Sequence, residues 1–304
     1  MKFDLSVEIA GIKMQNPVMN AAGTFEVEPM KDFFDINILG AYVQKSITRK
    51  PREGNPQPRI YETVGGMINR IGLQNVGVEE FIAKKLPLLR WLEIPVIINV
   101  AGESVDDYGQ TCIILQERAK HWIQALEINV SCPNVKDGLI FGSNPDLLFE
   151  LVKTLRSSVS FPLIVKLTPN VTDITIIAKA AVSAGADALS LINTVKAAAY
   201  IERGPNAGQW IEGGLSGPCI KPIALYLIRQ VSKVVEVPLI AMGGICNTED
   251  ALDFLRIRNV WGIAVGTASF RDPSVMSKII DGLSNYLKGK GYSNLAELKA
   301  KEAR

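Results

Sequence analysis

Histidine is almost absent. His121 is the only one in 304 residues, and it precedes rather than ends the apolar run at 126–130, so general acid–base chemistry is expected to fall to another residue type. Cysteine is sparse too. Cys112, Cys132, Cys219 and Cys246 lie far apart and form no C-x-x-C, so local spacing builds neither a zinc ribbon nor an iron–sulfur site. A soluble protein of a reducing cytoplasm is the expectation. No run approaches the ~18 consecutive apolar residues of a membrane helix. The opening MKFDLSVEIAGIKMQ has no apolar core of the kind a signal peptide carries. Net charge is only +2, and there is no basic stripe or acidic tail, which argues against a nucleic-acid surface. The remainder is ordinary globular composition, 47% apolar and 21% charged.

What is present is a rhythm. Short apolar runs at 17–21, 42–45, 96–100, 126–130, 163–167, 188–192, 239–242 and 262–265 read as strands. They are continuous rather than alternating, as strands covered on both faces should be. Amphipathic segments lie between most of them. In SNPDLLFELVKTLRS, Asn144 can cap, Pro145 suits the first helical position, and Leu148, Leu151, Val152 and Leu155 share a face. In TDITIIAKAAVSAGAD, Ile174, Ile177, Ala178 and Ala181 do the same, with a stop at Gly185. Thr248 is the expected cap of TEDALDFLRI. Eight strands with intervening helices predict an α/β fold, a (β/α)8 TIM barrel formed by one domain over 1–304. A doubly wound sheet competes, but no G-x-G-x-x-G follows the first strand. LSVEIAGIKMQNPV reads as an N-terminal β-hairpin over the barrel floor. Segments 48–77 and 195–217 read as long loops over the C-terminal face, and loops of that length are usually functional.

Barrel active sites collect at the C-terminal ends of the strands. Here those ends hold lysine, asparagine and glycine, one cysteine and no histidine. Glycine-rich AMGGI and AVGTA follow the last two strands, where barrels often bind phosphate through loop amides; Gly217 can join them. As a bland alternative these are tight turns that need glycine. Lys166 ends an apolar strand, and Lys45 raises the same question. A buried ammonium there can be a Schiff-base lysine, can face a cofactor's negative charge, or can pair with a carboxylate inside the barrel. Asn69, Asn129, Asn134 and Asn193 offer paired donors and acceptors suited to a flat ligand rich in amide and carbonyl groups. Cys132, on the strand-end stretch NVSCPNV, is the candidate base, since a thiol of ordinary pKa ~8.5 is readily tuned. Inert packing is its alternative. Cys112 reads as helix core.

These residues resemble a known family. KSITRKPREGNPQPRIYETVGGMINRIGLQNVG, NVSCPNV, VKLTPN, INT, GGLSGP and AMGGI with AVGTA are similar to dihydroorotate dehydrogenase, most of all to its class 1B catalytic subunit. The resemblance covers nearly the whole chain. It implies an FMN-containing barrel that oxidises dihydroorotate to orotate in pyrimidine biosynthesis. It implies Cys132 as the base at C5 and FMN as acceptor of hydride from C6. Lys45, Asn69, Ile71, Gly72, Leu73, Asn129, Asn134, Asn193 and Thr194 would surround the substrate. Ala22, Lys45, Ser46, Asn99, Asn129, Lys166, Ile192, Gly217, Gly243, Gly244, Gly266 and Thr267 would hold FMN. Electrons would pass to NAD through a partner subunit carrying FAD and an iron–sulfur cluster, in a heterotetramer built on a homodimer of this chain. Ala22 stands where the family often has serine, Arg70 where a small residue is usual, and 195–214 follows the family pattern poorly. Rival readings are an FMN barrel for another dihydropyrimidine, a class 1A-like enzyme with a different acceptor, a non-redox Schiff-base barrel, and a flavin-binding subunit without catalysis.

Overall fold

The computed structural model describes residues 4–130 and 140–303. Eight parallel strands form its centre: Val18–Asn20, Tyr42–Ile47, Val96–Val100, Ala125–Asn129, Leu163–Lys166, Ala188–Leu191, Leu239–Met242 and Val260–Val265. From the second to the eighth each pairs with the next, and the eighth pairs with the first. All eight expected strands are present, with ends displaced by a residue or two. The third through seventh are buried along their whole length, which is why they read as unbroken apolar runs.

Closure between the first and second strands uses a side chain. Gly40 N–H donates to Val18 O at 2.8 Å, and Met19 and Ala41 form a single bridge. Above them the fully buried Asn20 takes over. Its Nδ2 donates to Val43 O at 2.7 Å and its Oδ1 accepts from Val43 N–H at 2.8 Å. One carboxamide thus satisfies both backbone groups of a residue that would otherwise sit at an open sheet edge.

The helices follow local chemistry. Asn144 caps Pro145–Ser158 by accepting from Asp146 N–H and Leu147 N–H, and Leu148, Leu151, Val152 and Leu155 are buried. Asp173 caps Ile174–Ser183. The cap of Thr248–Leu255 is Asn247, which accepts from Asp250 N–H, rather than Thr248. Both residue types cap well. Thr248 is instead the first helical residue and packs against Gly282 of helix Val275–Lys290. No helix among the described residues is long and apolar enough to cross a membrane.

The N-terminal hairpin, Val7–Ile9 with Ile12–Met14, is present. Ala10 and Gly11 at its two-residue turn have φ of 54° and 76°, as a type I′ turn demands. Ile9 packs against Gly262 near the start of the eighth strand, on the barrel floor. Segments 48–77 and 195–217 are not simply loops. They contribute a four-stranded antiparallel sheet in the order Val195–Ile201, Gln209–Ser216, Gly66–Asn69, Ile60–Thr63. Val195–Ile201 alternates half-buried and exposed residues, the period-2 signature of a strand with one face covered. Ile68, Ile201 and Ile211 form the sheet's own small core.

The C-terminal helix, Leu295–Glu302, is tied to the barrel by a buried lysine. Lys299 Nζ donates to the carbonyls of Leu255, Ile257 and Arg258 at 2.8, 2.9 and 3.4 Å. It lies 4.7 Å from the centre of the Trp261 ring. It therefore caps the C-terminal end of helix Thr248–Leu255, where carbonyls lack partners and cations are favoured. Burial pushes its pKa down to about 7; the three carbonyls and the ring act in the opposite sense and favour the ammonium. Lys299→Met strands these acceptors and is expected to lower unfolding free energy by about 2–3 kcal/mol, read from the urea midpoint. An unchanged midpoint would show that water replaces the ammonium without cost.

Candidate active site

The antiparallel sheet and the C-terminal ends of the barrel strands enclose a cavity of 390 Å³. The second strand supplies Lys45 and Ser46, the fourth Asn129 and the fifth Lys166. The connection after the sixth supplies Ile192, Asn193 and Thr194, and the sheet adds Met67, Asn69 and Ser216. Asn193 Nδ2 donates to Asn129 Oδ1 at 3.4 Å, and Asn129 Nδ2 to Ser46 Oγ at 3.3 Å. Tyr108 OH donates to Asn129 O at 2.8 Å from below. Asn69 Nδ2 donates to Gly214 O at 3.2 Å, so one sheet strand sets the position of its neighbour's amide.

Ile71, Gly72 and Leu73 reach the wall on a loop with Gly72 at φ 75° and Leu73 at φ 57°. A left-handed leucine persists only where its surroundings over-determine it. Asn75 does this: its Nδ2 donates to Leu73 O at 2.7 Å and to Thr48 Oγ1 at 2.8 Å, and its Oδ1 accepts from Gly77 N–H at 2.8 Å. Arg70 is not part of the wall; its N–H donates to Arg59 O at 2.8 Å.

The two lysines differ. Lys166 lies 3.7 Å from Glu127, with both side chains almost fully buried. Lys45 makes no ion pair with a described carboxylate. Burial holds its pKa below the usual lysine value, while the negative charge of Glu26 acts in the opposite sense. The ion pair of Lys166 also matches one alternative left open by the sequence.

The far end of the cavity is made of glycine-containing turns, with Thr267 Oγ1 donating to Ser216 Oγ at 2.7 Å. Gly243 and Gly244 follow the seventh strand with φ of 126° and 77°, and Gly217 has φ 107°. Cβ atoms at Gly243 and Gly244 would each lie 2.7 Å from another side chain, those of Ala224 and Lys221. Among the described residues, the N–H groups of Gly243, Gly244, Gly266 and Thr267 donate to no protein acceptor. Four such donors facing one hollow fit a phosphate. Lys221 fixes the base of the turn, with Nζ 2.5 Å from Asp250 and 2.8 Å from Asp253, while Asp250 accepts from Cys246 N–H at 2.9 Å.

Of the residues expected from sequence, Ala22, Lys45, Ser46, Asn69, Ile71, Gly72, Leu73, Asn129, Lys166, Ile192, Asn193, Thr194, Gly217, Gly243, Gly244, Gly266 and Thr267 meet on this wall. Asn99 stands one layer beneath, accepting from Ser46 Oγ and donating to Glu127. Cys132 and Asn134 lie outside the described residues. Sequence reasoning missed Thr24, Ser216, Met242 and Phe270 on the wall, and Glu127 and Ser190 below it. Glu127 was signalled by its spacing of two from Asn129, which puts both on one face of the strand.

Fold and site together define a (β/α)8 barrel whose turns after the last two strands present backbone N–H donors to the cavity. The family model described as dihydroorotate dehydrogenase matches residues 4–287. The chain is 48% identical over 301 residues to the Dihydroorotate dehydrogenase B (NAD(+)), catalytic subunit, of Geotalea daltonii, covering 98% of this chain and 97% of that protein. It is 45% identical over 302 residues to the protein of the same description from Alkaliphilus metalliredigens, covering 98% of each. A crystal structure of DHODH from Eimeria tenella in complex with ferulenol superposes with a TM-score of 0.79 at 24% identity, over 97% of this chain and 87% of that one, and so shares the fold. The chain belongs to the dihydroorotate dehydrogenase family.

Proposed function

We propose that this chain, as one FMN-binding barrel domain, oxidises (S)-dihydroorotate to orotate in the cytoplasm, as a class 1B catalytic subunit does. The observation that carries the reading is the convergence in one cavity of Lys45, which makes no ion pair with a described carboxylate, the amides of Asn69, Asn129 and Asn193, and backbone N–H donors with no protein acceptor among the described residues. The N–H groups of Gly243, Gly244, Gly266 and Thr267, with Gly217, would hold the FMN phosphate. Ala22, Ser46, Asn129, Lys166 and Ile192 would face its ring system, with Asn99 supporting Ser46. Bound FMN supplies the acceptor for the hydride that leaves C6 of dihydroorotate.

The substrate's carboxylate and ring amides suit Lys45, Asn69, Asn129, Asn134, Asn193 and Thr194, and the backbone of Ile71, Gly72 and Leu73. Cys132 takes the proton from C5 as the C5–C6 double bond forms. Electrons leave through a partner. This chain has no dinucleotide fingerprint, and its scattered cysteines form no cluster motif. A subunit carrying FAD and an iron–sulfur cluster, one on each chain of a homodimer, is the assembly we assign.

The test is the visible spectrum of the purified protein before and after anaerobic dihydroorotate. A yellow protein that releases FMN on denaturation and bleaches with substrate is expected; a colourless protein, or a flavin that dihydroorotate leaves oxidised, overturns the reading. The isolated chain is expected to reduce an artificial dye but not NAD⁺. NADH formation at the dye rate would remove the need for a partner.

A further inference from the structure

Glu127 has no part in the chemistry described so far, yet it is a buried carboxylate bonded to both neighbouring sides of the barrel interior. Its side chain is 4% exposed. It stands two residues before Asn129 on the fourth strand and points from the same face, one layer deeper. Oε1 accepts from Ser190 Oγ on the sixth strand at 2.7 Å. Oε2 accepts from Asn99 Nδ2 on the third strand at 2.5 Å. Two neutral donors from opposite sides therefore fix this carboxylate.

Lys166, on the fifth strand, is held differently. Its ammonium lies 3.7 Å from Oε2, beyond hydrogen-bond distance. More exposed pairs of this protein close to 2.5–2.9 Å, as between Lys221 and Asp250 or Lys31 and Glu28. A buried pair formed only for stability gains most by closing, because desolvation is repaid through short, hydrogen-bonded contact. Lys166 also lines the cavity. Its ammonium sits between an anchored negative charge and the space where a ligand binds. A lysine head on a flexible stem is suited to such a divided position.

We propose that Glu127 is a positioning residue that acts through Lys166. Anchored by Ser190 and Asn99, it sets how much positive charge Lys166 presents to the ligand. It compensates the ammonium when the facing ligand is neutral and yields it when the ligand becomes anionic. The inference rests on the assignment of FMN to this cavity. In that site Glu127 governs the relative affinity for reduced, anionic flavin and oxidised, neutral flavin, and hence the reduction potential of the bound cofactor.

The experiment measures that potential by equilibrating the holoprotein with a reference dye during slow reduction. Four proteins are compared: wild type, Glu127→Gln, Lys166→Met and the double variant. Glu127→Gln is expected to change the ratio of affinities for the two flavin states at least ~10-fold, ~30 mV for a two-electron couple. In the Lys166→Met background the same substitution is expected to change it by less than about threefold, since its partner is gone. An equal shift in both backgrounds, or none in either, overturns the proposal; a general loosening of the fold would not depend on Lys166. If Glu127→Gln does not fold, Glu127→Asp repeats the comparison, because it keeps the charge but withdraws it from the ammonium. Wild-type protein that bound no FMN would sink the reading of the site, which is a different result from bound FMN with an unmoved potential.

Discussion

Cys132→Ala is expected to lower the rate at which dihydroorotate reduces bound flavin by about 10²–10⁴-fold, the usual contribution of a general base, and to leave FMN in place. The described part of the wall offers no ready replacement for the thiol. Its titratable side chains are Lys45, Lys166 and Cys246, with no histidine, aspartate or glutamate. Lys166 is engaged with Glu127. Cys246 belongs to the glycine turn after the seventh strand, and burial pushes its thiol pKa up, which suits inert packing. Lys45 is placed to meet an anion. The serine and threonine hydroxyls of the wall are far weaker acids than a thiol, and the proposed base remains Cys132, outside the described residues. Cys132→Ser is expected to be poor as well near pH 7, since a hydroxyl yields far less anion than a thiol of pKa ~8.5. Stopped-flow mixing with dihydroorotate under anaerobic conditions measures the step. Wild-type flavin reduction in Cys132→Ala, or its loss in Cys246→Ala instead, would move the assignment.

Gly244→Ala is expected to cost about 100-fold in FMN affinity while the barrel stays folded. The added methyl group would lie 2.7 Å from Lys221 Cβ, 2.8 Å from Lys221 N and 3.0 Å from Gly217 O. The backbone there has φ 77°, which costs an L-residue roughly 1–2 kcal/mol. Lys221 cannot easily retreat. It opens helix Lys221–Ser232, and its Nζ is tied to Asp250 and Asp253. The turn must move instead, carrying its N–H donors off the phosphate, and each charge-assisted bond lost is worth about 1.5–3 kcal/mol. A total near 3 kcal/mol is about two factors of ten in Kd. Titration of the apoprotein with FMN, followed by fluorescence, reads it directly. Gly289→Ala, whose methyl group would meet nothing within 4 Å, is the control and should bind as the wild type does. Equal affinity in the two variants would show that the glycine turn is not the phosphate site.

Local pattern carried much of this molecule. Strands covered on both faces must be apolar without interruption, so eight such runs announced a barrel. Asn144 and Pro145 marked a helix start because capping is decided within four residues. The paired glycines after the seventh strand were legible because a turn with φ above zero and no room for Cβ admits little else. The alternation of Val195–Ile201 was equally present in the text, but the long-loop reading of 195–217 passed over it.

Other features depend on which strands become neighbours, and no short stretch of sequence contains that. Asn20 closes the barrel only because Val43 arrives beside it from 23 residues away. Asn99 sits beneath the wall rather than on it because the alternation of the third strand meets Ser46 and Glu127 from its two neighbours at that level. Glu127 finds Ser190 from 63 residues away, and the 3.7 Å gap to Lys166 is a matter of register between adjacent strands. The sequence by itself determined the repeating element, its caps and the glycine turns, since each is settled by sterics and hydrogen bonding within a few residues. Only the tertiary structure decided the barrel's closing bond, the sheet over its mouth and the charge held beneath its floor of amides, because each needs partners that chain folding alone brings within reach.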